Sequence, residues 1–314
     1  MKSDPDYDRA EKAAREKCYD EAIAIYRELI ERHPEEDSLK MSLAWVFRDS
    51  GKTDEAIELL LVIFKKELAR DVFTGFAFDE LVRLFREKAD FAGLTGVCEE
   101  AVSVWPHDKS LLFTLGEAYR GAERFSDAAR IFEKLAAREP DAPEYFSRLG
   151  NVLATAGEFE RAEKAYEKAA EIDPEAAPSY YNGLGHVLAE ADEYGRAVAA
   201  YRKSIKRNGN QPLVFCHLAD VYVKEGRVAE AEEAYEEAIR IDPGHKAAYY
   251  NRFGNILART GLNGNAILIF RKAIAEDPNN PFLYVFLAQA CLAEGLHEEA
   301  REAYLTATTL GADF

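Results

Sequence analysis

The chain has 314 residues, 40 basic against 57 acidic, and a net charge of −17 at neutral pH. That balance excludes a general nucleic-acid binder, since neutralising a phosphate backbone takes a surplus of lysine and arginine, and no stretch approaches the roughly 20 apolar residues that a membrane span requires. The stretch from Met1 to Ala10 is charged and does not read as an export signal, and Cys18, Cys98, Cys216 and Cys291 are too scattered to pair, so a reducing cytoplasm is the expected setting.

A small residue then returns along the whole chain at Ala22, Ala56, Ala128, Ala162, Ala197, Ala231, Ala266 and Ala300, with gaps of 34, 72, 34, 35, 34, 35 and 34. The gap of 72 is two periods plus four residues, and Leu94 stands in the vacant slot. Such a period marks stacked helical units, which add one upon another without a central core. Taken in order, the units are 3–36, 37–70, 75–108, 109–142, 143–176, 178–211, 212–245, 247–280 and 281–314.

Each unit is predicted to be two helices of about a dozen residues, with apolar positions at helical spacing, as in Ala22, Ile23, Tyr26, Leu29 and Ile30. Twelve positions before the slots stand Ala10, Ala44, Val82, Gly116, Gly150, Gly185, Ala219, Gly254 and Ala288, small enough for two helices to cross closely. Four positions after the slots stand Tyr26, Leu60, Cys98, Phe132, Tyr166, Tyr201, Tyr235, Phe270 and Tyr304, mostly aromatic rings that fill the wedge beside the crossing. Gly51, Gly157, Gly226, Gly261 and Gly295 mark the turn between helices. Pro34, Pro106, Pro140, Pro174, Pro243 and Pro278 stop the second helix. The third unit departs furthest, with Val82, Leu94 and Cys98 in its motif slots and the extra residues Asp71, Val72, Phe73 and Thr74 before it. The expectation is a front section, 1–74, and a longer section, 75–314, of one continuous array with a changed packing angle at 71–74.

This order of small, aromatic and proline positions resembles the tetratricopeptide repeat over nearly the whole chain. The resemblance implies an all-α, right-handed superhelical solenoid of stacked helix-turn-helix repeats that binds a protein or an extended peptide in its concave groove and catalyses nothing. Pentatricopeptide arrays, which bind RNA, share the period, and the acidity weighs against them. Catalytic signals are missing: there is no glycine-rich phosphate loop, no pair of histidines one helical turn apart and no Cys-x-x-Cys pair, so neither a cofactor nor a metal is expected. Cys216 and His217 are adjacent, which points them to different sides of a helix.

In the family, positions two, five, six, nine, twelve and thirteen of each first helix face the groove. The ninth positions read Glu11, Trp45, Arg83, Glu117, Asn151, His186, Asp220, Asn255 and Gln289, and from Asn151 onward all are polar. Asn182 and Asn251 at fifth positions and Arg252 at a sixth join the same half. Carboxamides donate to and accept from a peptide backbone, and helices roughly 10 Å apart meet about every third residue of an extended chain. Each bond contributes only about 1 kcal/mol against about 8 for a micromolar complex, so pockets must add to the row. Phe282, Val285 and Phe286 in the last repeat form one candidate; Arg48, Arg86 and Arg120, at three successive twelfth positions and beside Asp49 and Glu87, form another.

The carboxylate clamp of chaperone-binding members is not matched, since Ser147, Gly183, Leu213 and His217 stand at its positions. Two alternatives remain open. Leu305, Ala307 and Leu310 end the array without a capping helix after Phe314, which suits a scaffold that stacks copies of itself, and the chain also suits the repeat region of a larger protein.

Overall fold

The computed structural model describes residues 5–312; Met1 to Asp4 and Asp313 to Phe314, which the first and ninth repeats include, lie outside the described residues. Among the described residues there are eighteen α-helices and one 3₁₀ turn, and no strand. They form nine consecutive pairs and divide into two compact units, Met1–Leu135 and Ala136–Phe314.

The N-terminal unit pairs α1 (Pro5–Arg15) with α2 (Tyr19–Arg32), α3 (Asp37–Asp49) with α4 (Thr53–Arg70) and α5 (Phe76–Glu87) with α6 (Phe91–Val104). It continues with α7 (Lys109–Gly121) and the greater part of α8 (Phe125–Arg138), within which the boundary falls. The C-terminal unit pairs α9 (Pro143–Thr155) with α10 (Phe159–Ile172), α11 (Ala177–Glu190) with α12 (Tyr194–Arg207) and α13 (Pro212–Lys224) with α14 (Val228–Ile241). Then come α15 (Lys246–Arg259) with α16 (Asn263–Glu276), and α17 (Pro281–Ala293) with α18 (His297–Thr309).

The predicted wedge is what locks four of the pairs. A Cβ on Gly150 would stand 2.5 Å from the ring of Tyr166, on Gly185 2.6 Å from Tyr201, on Gly254 2.6 Å from Phe270 and on Gly116 2.9 Å from Phe132. Those rings are buried, so each glycine is the space its aromatic partner occupies. Tyr201, Tyr235, Phe253 and Phe270 anchor the core of the C-terminal unit, and Leu39, Leu60, Phe64, Leu81 and Leu94 that of the N-terminal unit.

Proline punctuation acts as expected, with α2, α6, α8, α10, α14 and α16 each ending two residues before its proline. The five predicted turn glycines all take left-handed φ, between +75° and +81°. At Gly51 the turn closes by Gly51 N–H donating to the carbonyl of Arg48 and Lys52 N–H to that of Phe47, at 3.0 and 2.8 Å. In four other repeats the same left-handed position is taken by Lys17, Ala89, Glu123 and Asp192, with φ between 54° and 62°. A side chain there costs about 1–2 kcal/mol, which yields a prediction. Exposed Glu123, replaced by glycine, should raise the stability of the α7–α8 turn by about 1 kcal/mol, read as slowed hydrogen exchange of the α7 C-terminal amides.

The extra segment has a defined structure. α4 runs 18 residues where α2 runs 14, and Asp71 ends it at φ 52°. Phe73 then lies with its ring centroid 5.7 Å from that of Phe78 and 4.9 Å from that of Trp105, while Trp105 Nε1 donates to Asp71 Oδ1 at 2.8 Å. α4 packs against α5 beyond it, so the pairing continues through the insertion.

Candidate functional site

In the C-terminal unit the first helices of successive repeats pack on one another, α9 on α11, α11 on α13, α13 on α15 and α15 on α17. Residues one repeat apart therefore meet. Asn182 Oδ1 lies 3.2 Å from His217 Nδ1, so the neutral imidazole donates from Nδ1. The rings of His217 and exposed His186 are 6.5 Å apart, and His186 Nε2 lies 3.4 Å from Glu190. Arg252 donates twice to Asp220 Oδ2, at 2.6 and 3.2 Å, and the buried Tyr235 hydroxyl donates to Asp220 Oδ1.

The remaining polar residues of the row are oriented within their own repeats. Tyr166 Oη donates to Asn151 Oδ1 at 2.5 Å, which leaves the Asn151 amide hydrogens for another acceptor. Asn255 Nδ2 donates to the backbone oxygen and to Oδ1 of Asn251, at 2.8 and 3.0 Å, leaving its own carbonyl oxygen available. Gln289 is exposed. Phe282 is 62% exposed, whereas Phe286 stacks on Phe270 at 5.9 Å and is partly buried, so the two phenylalanines do not share one environment.

In the N-terminal unit the arginines divide. Arg48 donates to Asp49 and to Glu80, each at 2.7 Å, and Arg120 to Glu117 at 2.8 Å. Glu87 pairs with Arg83 at 3.5 Å, and Arg86 has no ion pair among the described residues. Two of the three cations thus already face carboxylates.

Three side chains that shape the polar row were read from the sequence as packing or clamp positions and not as part of it: His217, Tyr166 and Tyr235. A signal existed for the tyrosines. The aromatic slot lies 15 residues after the ninth position, and where an asparagine or aspartate stands at the ninth a tyrosine in the slot sets its hydroxyl on it, as with Tyr166 on Asn151 and Tyr235 on Asp220. With Phe270 in that slot, Asn255 bonds its own helix instead. Burial drives the Tyr166, Tyr201 and Tyr235 phenols far above their ordinary value, so they remain hydrogen donors.

Burial, with the Arg252 charge second, holds His217 below the usual imidazole value of 6.5, against an opposing pull from Asp220. Its proton is therefore bound more weakly in the folded chain than in the unfolded one. The His217 contribution to stability is full above about pH 6.5 and is lost as pH falls from there toward the folded value. Carbon-detected NMR titration of the imidazole should show Arg252→Gln moving the His217 midpoint up and Asp220→Asn moving it further down.

Two-helix units in a fixed register, locked by a small residue against an aromatic ring and joined face to face, define an array of tetratricopeptide type. The chain belongs to the tetratricopeptide-repeat family: residues 86–313 match the family described as "Cilia and flagella-associated protein 70 C-terminal domain", and residues 7–64 match "Tetratricopeptide repeat". It is 24% identical over 284 residues to Anaphase-promoting complex subunit 7 of Arabidopsis thaliana, covering 90% of this chain and 49% of that protein. It is 23% identical over 265 residues to TPR repeat-containing protein YpiA of Bacillus subtilis, covering 82% and 60%. The chain thus spans about half of these two relatives' length, 49% and 60%. A solved tetratricopeptide repeat protein from Parabacteroides merdae aligns with a TM-score of 0.50 at 19% identity, over 84% of this chain and 98% of that one, which shows the fold.

Proteins of this family are generally protein-interaction modules and generally non-enzymatic scaffolds. Among the described residues no cluster of three or more histidine, cysteine or carboxylate side chains is placed to hold a metal ion, and no helix is long and apolar enough to cross a membrane.

Proposed function

We propose that the C-terminal unit holds an extended segment of a protein partner along the inner faces of α9, α11, α13, α15 and α17. The observation that carries this reading is the bonding between successive inner helices, Asn182 to His217 and Asp220 to Arg252, which ties polar side chains from neighbouring repeats into one row. Within the row Asn151 presents donors, Asn255 an acceptor and Gln289 both. Exposed Phe282 adds apolar area at the end of the row, and Arg86 offers a separate cation in the N-terminal unit. The buried thiols of Cys98, Cys216 and Cys291 are unpaired, in keeping with a reducing compartment.

The test uses peptides enriched from a random display library on the full chain. Asn151→Ala combined with Asn255→Ala should weaken them at least fivefold with the far-ultraviolet circular dichroism unchanged; undiminished affinity would discard the mechanism. A second reading, self-association through the last repeat, is favoured by the exposure of Leu292, Leu296 and Leu305, the last at 70%. Sedimentation at high concentration separates the two readings, since a strict monomer counts against the scaffold.

A further inference from the structure

The four residues that break the repeat register build a pocket in the N-terminal unit. The end of α4 carries Ile63 and Lys66 up to the point where α2 stops in its own repeat and Glu67 and Arg70 beyond it, and residues 72–74 turn back beside it. Between this ledge, α3 and the start of α5 lies a cavity of about 540 Å³, within the roughly 300–1,000 Å³ of ligand clefts.

Its apolar lining comes from Met41, Trp45, Ile63, Val72 and Phe76. Trp45, Val72 and Phe76 are 44%, 53% and 71% exposed, so the apolar surface lies open to solvent. The described residues of the N-terminal unit leave it uncovered, and the ledge is held in place. Thr74 Oγ1 donates to Glu67, Val72 N–H donates to the Glu67 carbonyl at 3.1 Å, and Trp105 holds Asp71 from behind. The cavity is therefore a formed feature of the unit, separate from the polar row of the C-terminal unit.

The charges around it differ in what they leave unsatisfied. Lys66 is shared between Asp37 and Glu35, at 3.0 and 3.1 Å. The Glu67 oxygens are unavailable to a visitor, since Oε1 takes the Thr74 hydroxyl and Oε2 is shielded from solvent. Arg70 is exposed and has no ion pair among the described residues. Asp37 also lines the cavity, with its Oδ1 held by Lys66 and Lys40 at 3.0 and 3.3 Å, so the charge there without an ion-pair partner is the Arg70 guanidinium, and an acidic segment gains a charge-assisted bond to it. Debye screening over about 8 Å in physiological salt makes this local arrangement outweigh the overall negative charge.

We propose that the cavity seats a bulky apolar side chain of an acidic partner peptide, with a neighbouring carboxylate of that peptide on Arg70. The peptide passes over the open mouth, its apolar side chain descends onto Trp45 and Phe76, and the acidic residue stays at the rim. The site lies within one compact unit and uses none of the polar row.

The probe is a set of fluorescein-labelled hexapeptide pools, each with one fixed phenylalanine or leucine and flanks that are all acidic, all neutral or all basic. Anisotropy with the full chain should rank the acidic pool tightest by at least fivefold. Phe76→Ser and Trp45→Ala, both at exposed positions, should each weaken it about tenfold with circular dichroism unchanged. Arg70→Gln should erase the preference of the acidic over the neutral pool while leaving the neutral pool's affinity in place, and Asn151→Ala with Asn255→Ala should alter neither. Equal or tighter binding of the basic pool, or affinity indifferent to Phe76→Ser, overturns the proposal. So does displacement of the peptides by dodecanoate, or a monomer–dimer equilibrium that Phe76→Ser abolishes, since these assign the cavity to a lipid or to a second copy. Because the probes differ, loss of the row mechanism leaves this outcome legible.

Discussion

Gly185→Ala is expected to destabilise the α11–α12 pair by about 3 kcal/mol, although the same change in an open helix stabilises by about 1. The new methyl would stand 2.6 Å from the Tyr201 ring, which is only 2% exposed and packed within the core of the C-terminal unit. The ring cannot swing away without opening a void, so the helices must part and weaken the contacts with both neighbouring repeats. The same helix supplies the control. A methyl at Gly183 would meet only Tyr166, its Oη at 3.7 Å and its Cε1 at 3.8 Å, both ordinary contacts, so Gly183→Ala should stabilise. Urea unfolding and hydrogen exchange of α11 decide between them. If the two substitutions change stability in the same direction, the wedge does not hold the pair together. Shortening Tyr201 to leucine should recover part of the Gly185→Ala loss, since the methyl then has room, and a double-mutant cycle reads that coupling.

The features legible in the sequence were those with a one-to-one steric cause. Proline cannot extend a helix, so six helix ends could be placed to within two residues. A glycine opposite an aromatic slot admits one packing, and Gly150 with Tyr166 realises it. The turns at Lys17, Ala89, Glu123 and Asp192 were harder to see, because neighbouring contacts force a left-handed residue there that local preference does not announce. The extra residues 71–74 could be counted but not shaped. That they form a ledge depends on Trp105, one period of 34 residues away, holding Asp71, and the period alone does not say which side chains bond across it.

The candidate site follows the same division. Period alone brings Asn151, His186, Asp220, Asn255 and Gln289 to equivalent positions on successive inner helices. It is silent on which polar atoms are already engaged, because that depends on the aromatic slot and on neighbours one repeat away. Asn182 looked like a free carboxamide in the sequence, yet His217 from the next repeat bonds it. Arg48 showed only Asp49 beside it in the sequence, and Glu80 of the following repeat bonds it as well. In an array, side chains are neighbours at separations of about one period, so a groove residue has to be read together with the one a repeat further on.

The bond between Asp220 and Arg252 makes the strongest case of that coupling. Asp220→Ala is expected to destabilise the C-terminal unit by roughly 2–3 kcal/mol, somewhat below the 3–5 typical of breaking a fully buried pair because Arg252 keeps 36% of its side-chain exposure. Two groups lose their partner at once. The Arg252 guanidinium faces the His217 imidazole without its counter-ion, and the Tyr235 hydroxyl, on a side chain with no solvent exposure, has no acceptor. Asp220→Asn keeps an acceptor for Tyr235 and removes only the charge, so about 1 kcal/mol should be lost there. Removing the cation as well, in Asp220→Ala with Arg252→Met, should restore part of the deficit, since an apolar side chain leaves no charge to solvate. Tyr235→Phe in the Asp220→Ala background isolates the other part, because a ring without a hydroxyl needs no partner. Thermal unfolding of the five variants closes the cycle. Additive losses for Asp220→Ala and Arg252→Met would mean that the two side chains act independently, and the network joining α13 to α15 would then have no energetic reality.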